Sequence, residues 1–340
     1  MDPFELDQNV VGRYLASSIK GFGRLADIKK FPDGQSNPTF LLTTNSGQYV
    51  LRRQPPGELL KSAHAVDREF RVMQALQQTP IPVPKVFHLC EDREVIGSLF
   101  FVMEFIDGTV FFDPALPTHS PQQRNGIYNE MNRILAALHN LDVDDLGLSD
   151  YGKPGNYFTR QVDRWTRQYR ASETDVIADM DALIEWLPRN LPKDDHRVSL
   201  IHGDYRIDNL VFKRNSSQAG ALLDWELSTL GHPFADLAYQ CMQWRMDKDG
   251  AIRGLGGVDR VKLGIPSEEQ YLERYCLNSG IGRIDHWNFY LVFSFFRFAS
   301  ILQGVLKRAM NGNASSDRAF EYGRLTPQLA KMATQILEIS

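Results

Sequence analysis

Leu200-Ile-His-Gly-Asp-Tyr-Arg-Ile-Asp-Asn-Leu-Val-Phe212, with the Ala221-Leu-Leu-Asp-Trp-Glu226 that follows it, decides how this chain reads. The first stretch sets His202, Asp204 and Asn209 in the order H-x-D-x-x-x-x-N, and the second ends a short apolar run on Asp224. Phosphoryl transfer needs a carboxylate to orient an attacking hydroxyl and take its proton. It also needs further oxygen donors for the Mg²⁺ that bridges the phosphates of ATP. Asp204 suits the first role; Asn209 and Asp224 suit the second. The plainer alternative is a polar loop whose Asp and Asn serve only turn chemistry. The flanks weigh against it. Val198-Ser-Leu-Ile201, Leu210-Val-Phe212 and Ala221-Leu-Leu223 are β-like runs around a turn-rich Lys213–Gly220, so the polar groups fall at strand ends, where a cleft can form.

The bulk numbers narrow the setting. A chain of 340 residues reads as one large or two modest domains. Hydrophobic content of 43% and charged content of 24% are ordinary for a globular protein. A net charge of −4 gives no sign of a nucleic-acid partner. Cys90, Cys241 and Cys276 are far apart, lack metal-ligand spacing and fit a reducing compartment, so the expected location is cytoplasmic. Leu291 to Leu302 is the longest apolar stretch; it is short and contains Arg297, so no membrane span is expected. The acidic Met1–Asp7 does not read as a signal peptide. Oligomeric state is not legible.

Ahead of the quoted stretch lies a run of strand signals. Leu25–Phe31, Thr39–Thr44 and Gln48–Arg53 are separated by the turn segments Pro32–Pro38 and Asn45-Ser-Gly47. An amphipathic helix, Ala65–Gln77, follows with Val66, Phe70, Met73 and Leu76 on one face. Val83–Cys90 and Ser98–Glu104 give two more strands, and Phe105-Ile-Asp-Gly108 breaks the pattern. Beyond it helical periodicity dominates, the last helix being expected over Ser316–Ile339. Residues 1–105 therefore read as a nucleotide-binding region and 106–340 as the region of the catalytic loop and the acceptor.

Within the first region, Arg52 in Tyr49-Val-Leu-Arg52 stands on the third strand, where kinases present a cation to the phosphates. Its guanidinium can clamp phosphate bidentately. Arg53 alternates to the opposite face. Glu69 is the expected partner of Arg52, with Glu58 and Asp67 as further candidates. Gly34, Ser36 and Asn37 form a turn whose N–H groups and small side chains can meet the terminal phosphates. Backbone groups of Glu104 and Ile106 are expected at the adenine, from their position alone.

These residues resemble the aminoglycoside phosphotransferase family, a branch of the protein-kinase-like fold that includes choline and homoserine kinases. The resemblance runs from about Phe31 to about Arg308. It is carried by Ile201–Leu210, Leu222–Glu226 and Gly231-His-Pro-Phe-Ala-Asp-Leu-Ala238. It is closest to the kinase domain of certain acyl-CoA dehydrogenase fusion proteins, through Gly34–Thr39, Tyr49–Arg53 and Phe296–Gly304. The resemblance implies an α+β, protein-kinase-like two-lobe fold: an N-lobe of antiparallel sheet plus helix, a larger helical C-lobe, and ATP between them. It implies Asp204 as base, Asn209 and Asp224 as Mg²⁺ ligands, and Asp236 as a buried anchor of the catalytic loop. Two departures stand out. Arg52 replaces the usual Lys, and Arg206 stands where many members have His; from there it can reach the γ-phosphate.

The acceptor is less legible. Only 11 residues separate Asp224 from Asp236, which leaves no room for a long activation segment, so a small hydroxyl compound is expected rather than a protein. Trp225 and Glu226 follow Asp224 directly and are candidates to touch the acceptor; Glu226 is alternatively a third metal ligand. Arg297, inside an aromatic stripe, either faces the cleft and binds an anion or pairs with a core carboxylate. His202 is expected to hold the loop rather than react. The subgroup resemblance points to a hydroxyacyl-CoA or hydroxy acid. The alternatives are an aminoglycoside or amino-alcohol kinase, or a nucleotide-binding pseudokinase scaffold.

Overall fold

In the computed structural model, residues 6–31, 37–55, 65–312 and 318–338 are described. Gly34, Ser36 and Glu58 lie outside them. The chain divides into two compact units: residues 1–109, 210–214 and 219–227 in the first, and 110–209, 215–218 and 228–340 in the second. A single cut near residue 105 therefore misses a return of the chain, in which the hairpin carrying Asp224 belongs to the first unit.

The first unit begins with α1 (Gln8–Ser18), capped by the Asp7 carboxylate. Then come β1 (Leu25–Lys30), β2 (Thr39–Thr44) and β3 (Gly47–Arg53), joined across β2–β3 by the Asn45-Ser46 turn. After them lie α2 (Val66–Leu76), β4 (Val86–Cys90), the short α3 (Arg93–Ile96) and β5 (Phe100–Glu104). The five strands form one antiparallel sheet in the order β1-β2-β3-β5-β4. Period-2 alternation turns Phe40 and Leu42 inward, where they pack with Val11, Leu15, Phe22, Leu51 and Phe100. On α2 the buried residues are Val66, Glu69, Val72, Met73 and Leu76. Phe70, expected on that face, is only half-buried, whereas the acid Glu69 is inside.

The two-residue strand β6 (Thr109–Val110) ends this run. In the second unit, α4 (Pro121–His139) opens with a Ser120/Gln123 capping box. Helices α5 (Tyr157–Ser172) and α6 (Ala178–Arg189) follow, then β7 (Ser199–Ile201). The chain next supplies β8 (Leu210–Phe212) and β9 (Ala219–Leu222), a hairpin of the first unit, and β10 (Thr229–Gly231), which pairs with β7. Gly108 approaches this hairpin so closely that a Cβ would lie 2.4 Å from the Phe212 carbonyl oxygen; only glycine fits there. The remainder is α7 (Phe234–Arg245), α8 (Arg260–Leu263), α9 (Glu268–Ser279), α10 (Trp287–Met310), α11 (Ala319–Gly323) and α12 (Thr326–Glu338).

Helix α10 is the spine of the second unit, packing against α5, α6, α7, α11 and α12. It is long and apolar enough to cross a membrane, but 78% of its most apolar stretch is buried inside the protein, as the core helix of a bundle would be. The single C-terminal helix expected over Ser316–Ile339 is instead the pair α11 and α12. Pro327 sits in the first turn of α12, where its missing N–H costs nothing.

Candidate active site

The H-x-D loop leaves β7 and enters the second unit's core. Asp236, in the first turn of α7 and fully buried, accepts hydrogen bonds from the backbone N–H of His202 (2.6 Å) and of Gly203 (2.8 Å). His139 stands 3.4 Å from the same carboxylate, and its other ring nitrogen is 2.7 Å from the Tyr275 hydroxyl. Burial alone would raise the Asp236 carboxyl; His139 and the His202 N–H outweigh it and hold the group below the usual carboxylate range. Buried His202 accepts from the Asp204 N–H through Nδ1 (3.2 Å), which is a holding role. A positive φ of 85° at Gly203 turns the chain so that Asp204 leaves the loop. The Asn209 amide nitrogen donates to the Asp204 carbonyl (2.8 Å) and carboxylate (3.2 Å), so the amide oxygen is the atom it can offer a cation.

Arg206, two residues on, is forked onto Asp208 by two hydrogen bonds. Burial lowers its affinity for the proton, but Asp204 and Asp208 outweigh this and keep it firmly cationic. Beside it opens a cavity of about 660 Å³ within the second unit. Its lining includes the pairs Arg206–Asp208, Arg253–Asp113 and Arg318–Glu321.

In the first unit, Arg52 reaches three carboxylates. Its Nε donates to Glu69 (2.9 Å), an Nη donates to Asp224 (2.7 Å), and Glu226 lies at 4.0 Å. Glu69 was thus correctly singled out as a partner. Burial pushes its carboxyl up while Arg52 pulls it down. For Arg52, burial works against the charge and the three acids restore it. Asp224 has φ +63°, a left-handed conformation that costs a non-glycine residue about 1–3 kcal/mol. Its side chain is 41% exposed. Arg53, on the opposite face, is buried and bonded to Ser98 and the Ile96 carbonyl.

Other expectations fare differently. Trp225 is fully buried and its indole donates to the Leu222 carbonyl, so it cannot touch an acceptor; a large apolar ring next to a strand end folds inward. Glu226 belongs with the Arg52 charges. Arg297 is buried and pairs with no carboxylate among the described residues; it donates to the Gly203 carbonyl. The Glu104 backbone N–H is committed to the Lys85 carbonyl (2.8 Å), which removes it as an adenine contact. Ile106 packs towards Gly220 of the hairpin, and Asn37 is buried just ahead of β2. Sequence reasoning missed His139, Tyr275, Tyr239, Arg253 and Arg318. Tyr239 alone had a signal, since it falls one helical turn after Asp236.

With this geometry in hand, known proteins place the chain. The model of the phosphotransferase enzyme family matches residues 27–260. The chain belongs to that family, whose fold is protein-kinase-like: an N-terminal antiparallel sheet and a helical C-terminal region. A solved protein from Ralstonia eutropha JMP134 that carries an aminoglycoside phosphotransferase name is 46% identical, with a TM-score of 0.89 over 98% of this chain and 99% of that one. Choline kinase from Cryptosporidium parvum Iowa II, 13% identical, shares the fold with a TM-score of 0.67 over 98% and 96% of the two chains. Acyl-CoA dehydrogenase family member 10 of Mus musculus is 49% identical over 90% of this chain, and the probable acyl-CoA dehydrogenase IBR3 of Arabidopsis thaliana is 43% identical over 96%. The chain spans only 29% and 42% of those two relatives.

Proposed function

We propose that this protein transfers the γ-phosphoryl group of ATP to a hydroxyl of a small hydroxylated acid, free or as its CoA thioester. The acceptor O–P bond forms as the bridging bond to ADP breaks, and the hydroxyl proton passes to Asp204. The observation that carries this reading is the loop anchored by Asp236, which holds Asp204 and commits the Asn209 amide nitrogen to it. Asn209 and Asp224 each offer an oxygen of the hard type that Mg²⁺ prefers. When bound, the cation would supply neutralisation of phosphate charge. Arg52 would clamp phosphate oxygens, with Glu69 fixing its aim. Arg206 would stabilise charge on the transferring group. Asn37, with Gly34 and Ser36, is assigned to the phosphates, and the Ile106 backbone and Glu104 carbonyl to the adenine. A kinase-like relative of the same fold is described with AMP-PNP and hygromycin B, which supports an ATP donor.

The cavity beside Arg206 has the volume of a small-ligand site. Its lining carries three arginines against four carboxylates, Asp113, Asp208, Asp249 and Glu321. That near balance suits a hydroxy acid better than a polycationic aminoglycoside, which calls for a strongly acidic wall. Two of the relatives carry acyl-CoA dehydrogenase names, which favours an acyl acceptor. The test is acceptor-dependent ADP release from Mg-ATP across hydroxyacyl-CoAs, free hydroxy acids, amino alcohols and aminoglycosides. Turnover confined to the first two classes supports the proposal. Turnover only with aminoglycosides or amino alcohols overturns the acceptor. Mg-ATP binding with no transfer to any of them returns the chain to a binding role.

A further inference from the structure

The cavity beside Arg206 is lined by three arginines, and the three are not equivalent. Arg206 is forked onto Asp208 through Nε and one Nη. Arg318 is forked onto Glu321 in the same way (2.7 and 3.2 Å), donates to the Ala251 carbonyl (3.1 Å) and lies over the Tyr322 ring at 4.7 Å. Arg253 makes a single hydrogen bond among the described residues: Nη1 donates to Asp113 at 2.8 Å. A guanidinium has five N–H donors in one plane. On Arg253 the whole Nε–Nη2 edge therefore stays uncommitted, and that edge matches a carboxylate or a phosphate bidentately. The carboxylates of the same lining each have a cation already: Asp113, Asp208 and Glu321 pair with these arginines, and Asp249 with Lys248.

Both ends of Arg253 are fixed in advance. The next residue is Gly254, where a Cβ would lie 2.2 Å from the Met246 carbonyl oxygen and 2.3 Å from that of Gln243, so the loop is seated against the end of α7. At the other end, the Asp113 carboxylate accepts the Ala115 N–H at 2.9 Å. The buried Tyr128 hydroxyl donates to the Pro114 carbonyl of that turn (2.7 Å). Buried Arg124 donates to the Ala115, Leu116 and Pro117 carbonyls at 2.9, 3.0 and 3.3 Å. The Arg253 side chain is 56% exposed, and an exposed ion pair contributes little to stability. What the framing secures is the position of an open guanidinium edge in the wall of a ligand-sized cavity. A group placed before binding loses less entropy when it is used.

We propose that Arg253 selects the acceptor: its open edge takes a carboxylate or phosphate group of the molecule whose hydroxyl is phosphorylated. The proposal rests on the reading of this cavity as the acceptor site. Two sources carry that chemistry, the carboxylate of a free hydroxy acid and the phosphates of a CoA thioester. Arg253 holds a group other than the reacting hydroxyl, so its loss belongs in KM rather than in kcat.

The test compares wild type with Arg253→Gln and Arg253→Lys in the whole protein, by ADP release from Mg-ATP and by calorimetric binding of the acceptors. Each anionic acceptor is paired with a neutral counterpart: a hydroxy acid with its amide, and a hydroxyacyl-CoA with the hydroxyacyl-pantetheine that lacks the phosphates. Wild-type preference for the anionic member of the first pair assigns the carboxylate; preference within the second assigns the phosphates. Arg253→Gln should raise KM for the preferred anion about thirtyfold, the weight of a hydrogen-bonded contact between charged groups, and keep most of its kcat. The neutral counterpart should change far less. Arg253→Lys keeps the charge without the fork and should recover only part of the loss. The melting temperature should not move, because the pair with Asp113 is exposed. Equal changes for anionic and neutral members, or none for either, with wild type turning over hydroxy acids or their thioesters, would overturn the proposal and leave the acceptor class standing. A wild type that binds and turns over none of these anionic acceptors would remove the reading of the cavity, and the proposal with it.

Discussion

Asp204 and Asp224, the two carboxylates assigned to the chemistry, are held in opposite ways. Around Asp204 the supports are backbone N–H groups, an amide and a ring, locked by the buried Asp236. Around Asp224 the backbone is strained, the side chain is 41% exposed, and the support is a guanidinium shared with Glu69. The first arrangement is fixed before any ligand arrives. The second is made of charge, and charge can be exchanged for a phosphate or a cation. A base must point one way; a metal ligand and its clamp must be able to change partners.

The comparison breaks first at Asp204. Asp204→Asn keeps the size and the loop, so it should lose about a thousandfold in turnover, roughly 4 kcal/mol of barrier, with AMP-PNP binding intact. Steady-state kinetics with calorimetric binding checks this; a small loss would mean the loop holds something other than a base.

Asp236→Ala should cost about 3 kcal/mol in denaturant unfolding, because two buried N–H groups lose their acceptor. Its pH signature has a definite sign. The Asp236 carboxyl is depressed in the folded protein, so its contribution is fully present above the unfolded value of about 4 and is lost as the pH falls through the folded value. The stability gap between wild type and Asp236→Asn should therefore narrow below about pH 4 and stay constant from pH 5 to 7. A gap that widened in acid would contradict the cradle.

Arg52→Met should leave Glu69, Asp224 and Glu226 without their shared cation. About 2 kcal/mol of stability should go, part of it returning as Glu69 takes up a proton, and affinity for AMP-PNP should fall about tenfold. Unchanged affinity would separate Arg52 from the nucleotide. The smallest effect belongs to the exposed pair Arg214–Asp107, also in the first unit. Its acid is held low by Arg214, yet solvent screens the pair, and Asp107→Asn should leave unfolding and turnover unmoved. A clear change there would mean that charge matters in this unit irrespective of burial.

Much of this was readable one residue at a time. Thr39–Thr44 alternates inward and outward as a half-buried strand must, and the observed strand has those bounds. H-x-D-x-x-x-x-N singled out the proposed base because the chemistry demands particular donors at a short, fixed spacing. Trp225 was misread because adjacency in sequence was taken for adjacency to ligand. For Arg297 the sequence left an anion in the cleft and a core carboxylate as alternatives, and the partner the structure supplies is a backbone carbonyl, which no side-chain pattern announces.

The sequence by itself determined the strand and helix order, the candidate base, the cation on the third strand and the acid that answers it, since each is written as local periodicity or as a motif a few residues long. Tertiary structure decided what spans tens or hundreds of residues. It brought Asp236 against residues 202 and 203 and His139 against Asp236, seated Arg297 of a distant helix on Gly203, and folded the Asp224 hairpin into the first unit. Such placements follow from which faces bury together, and no single stretch of chain carries that information.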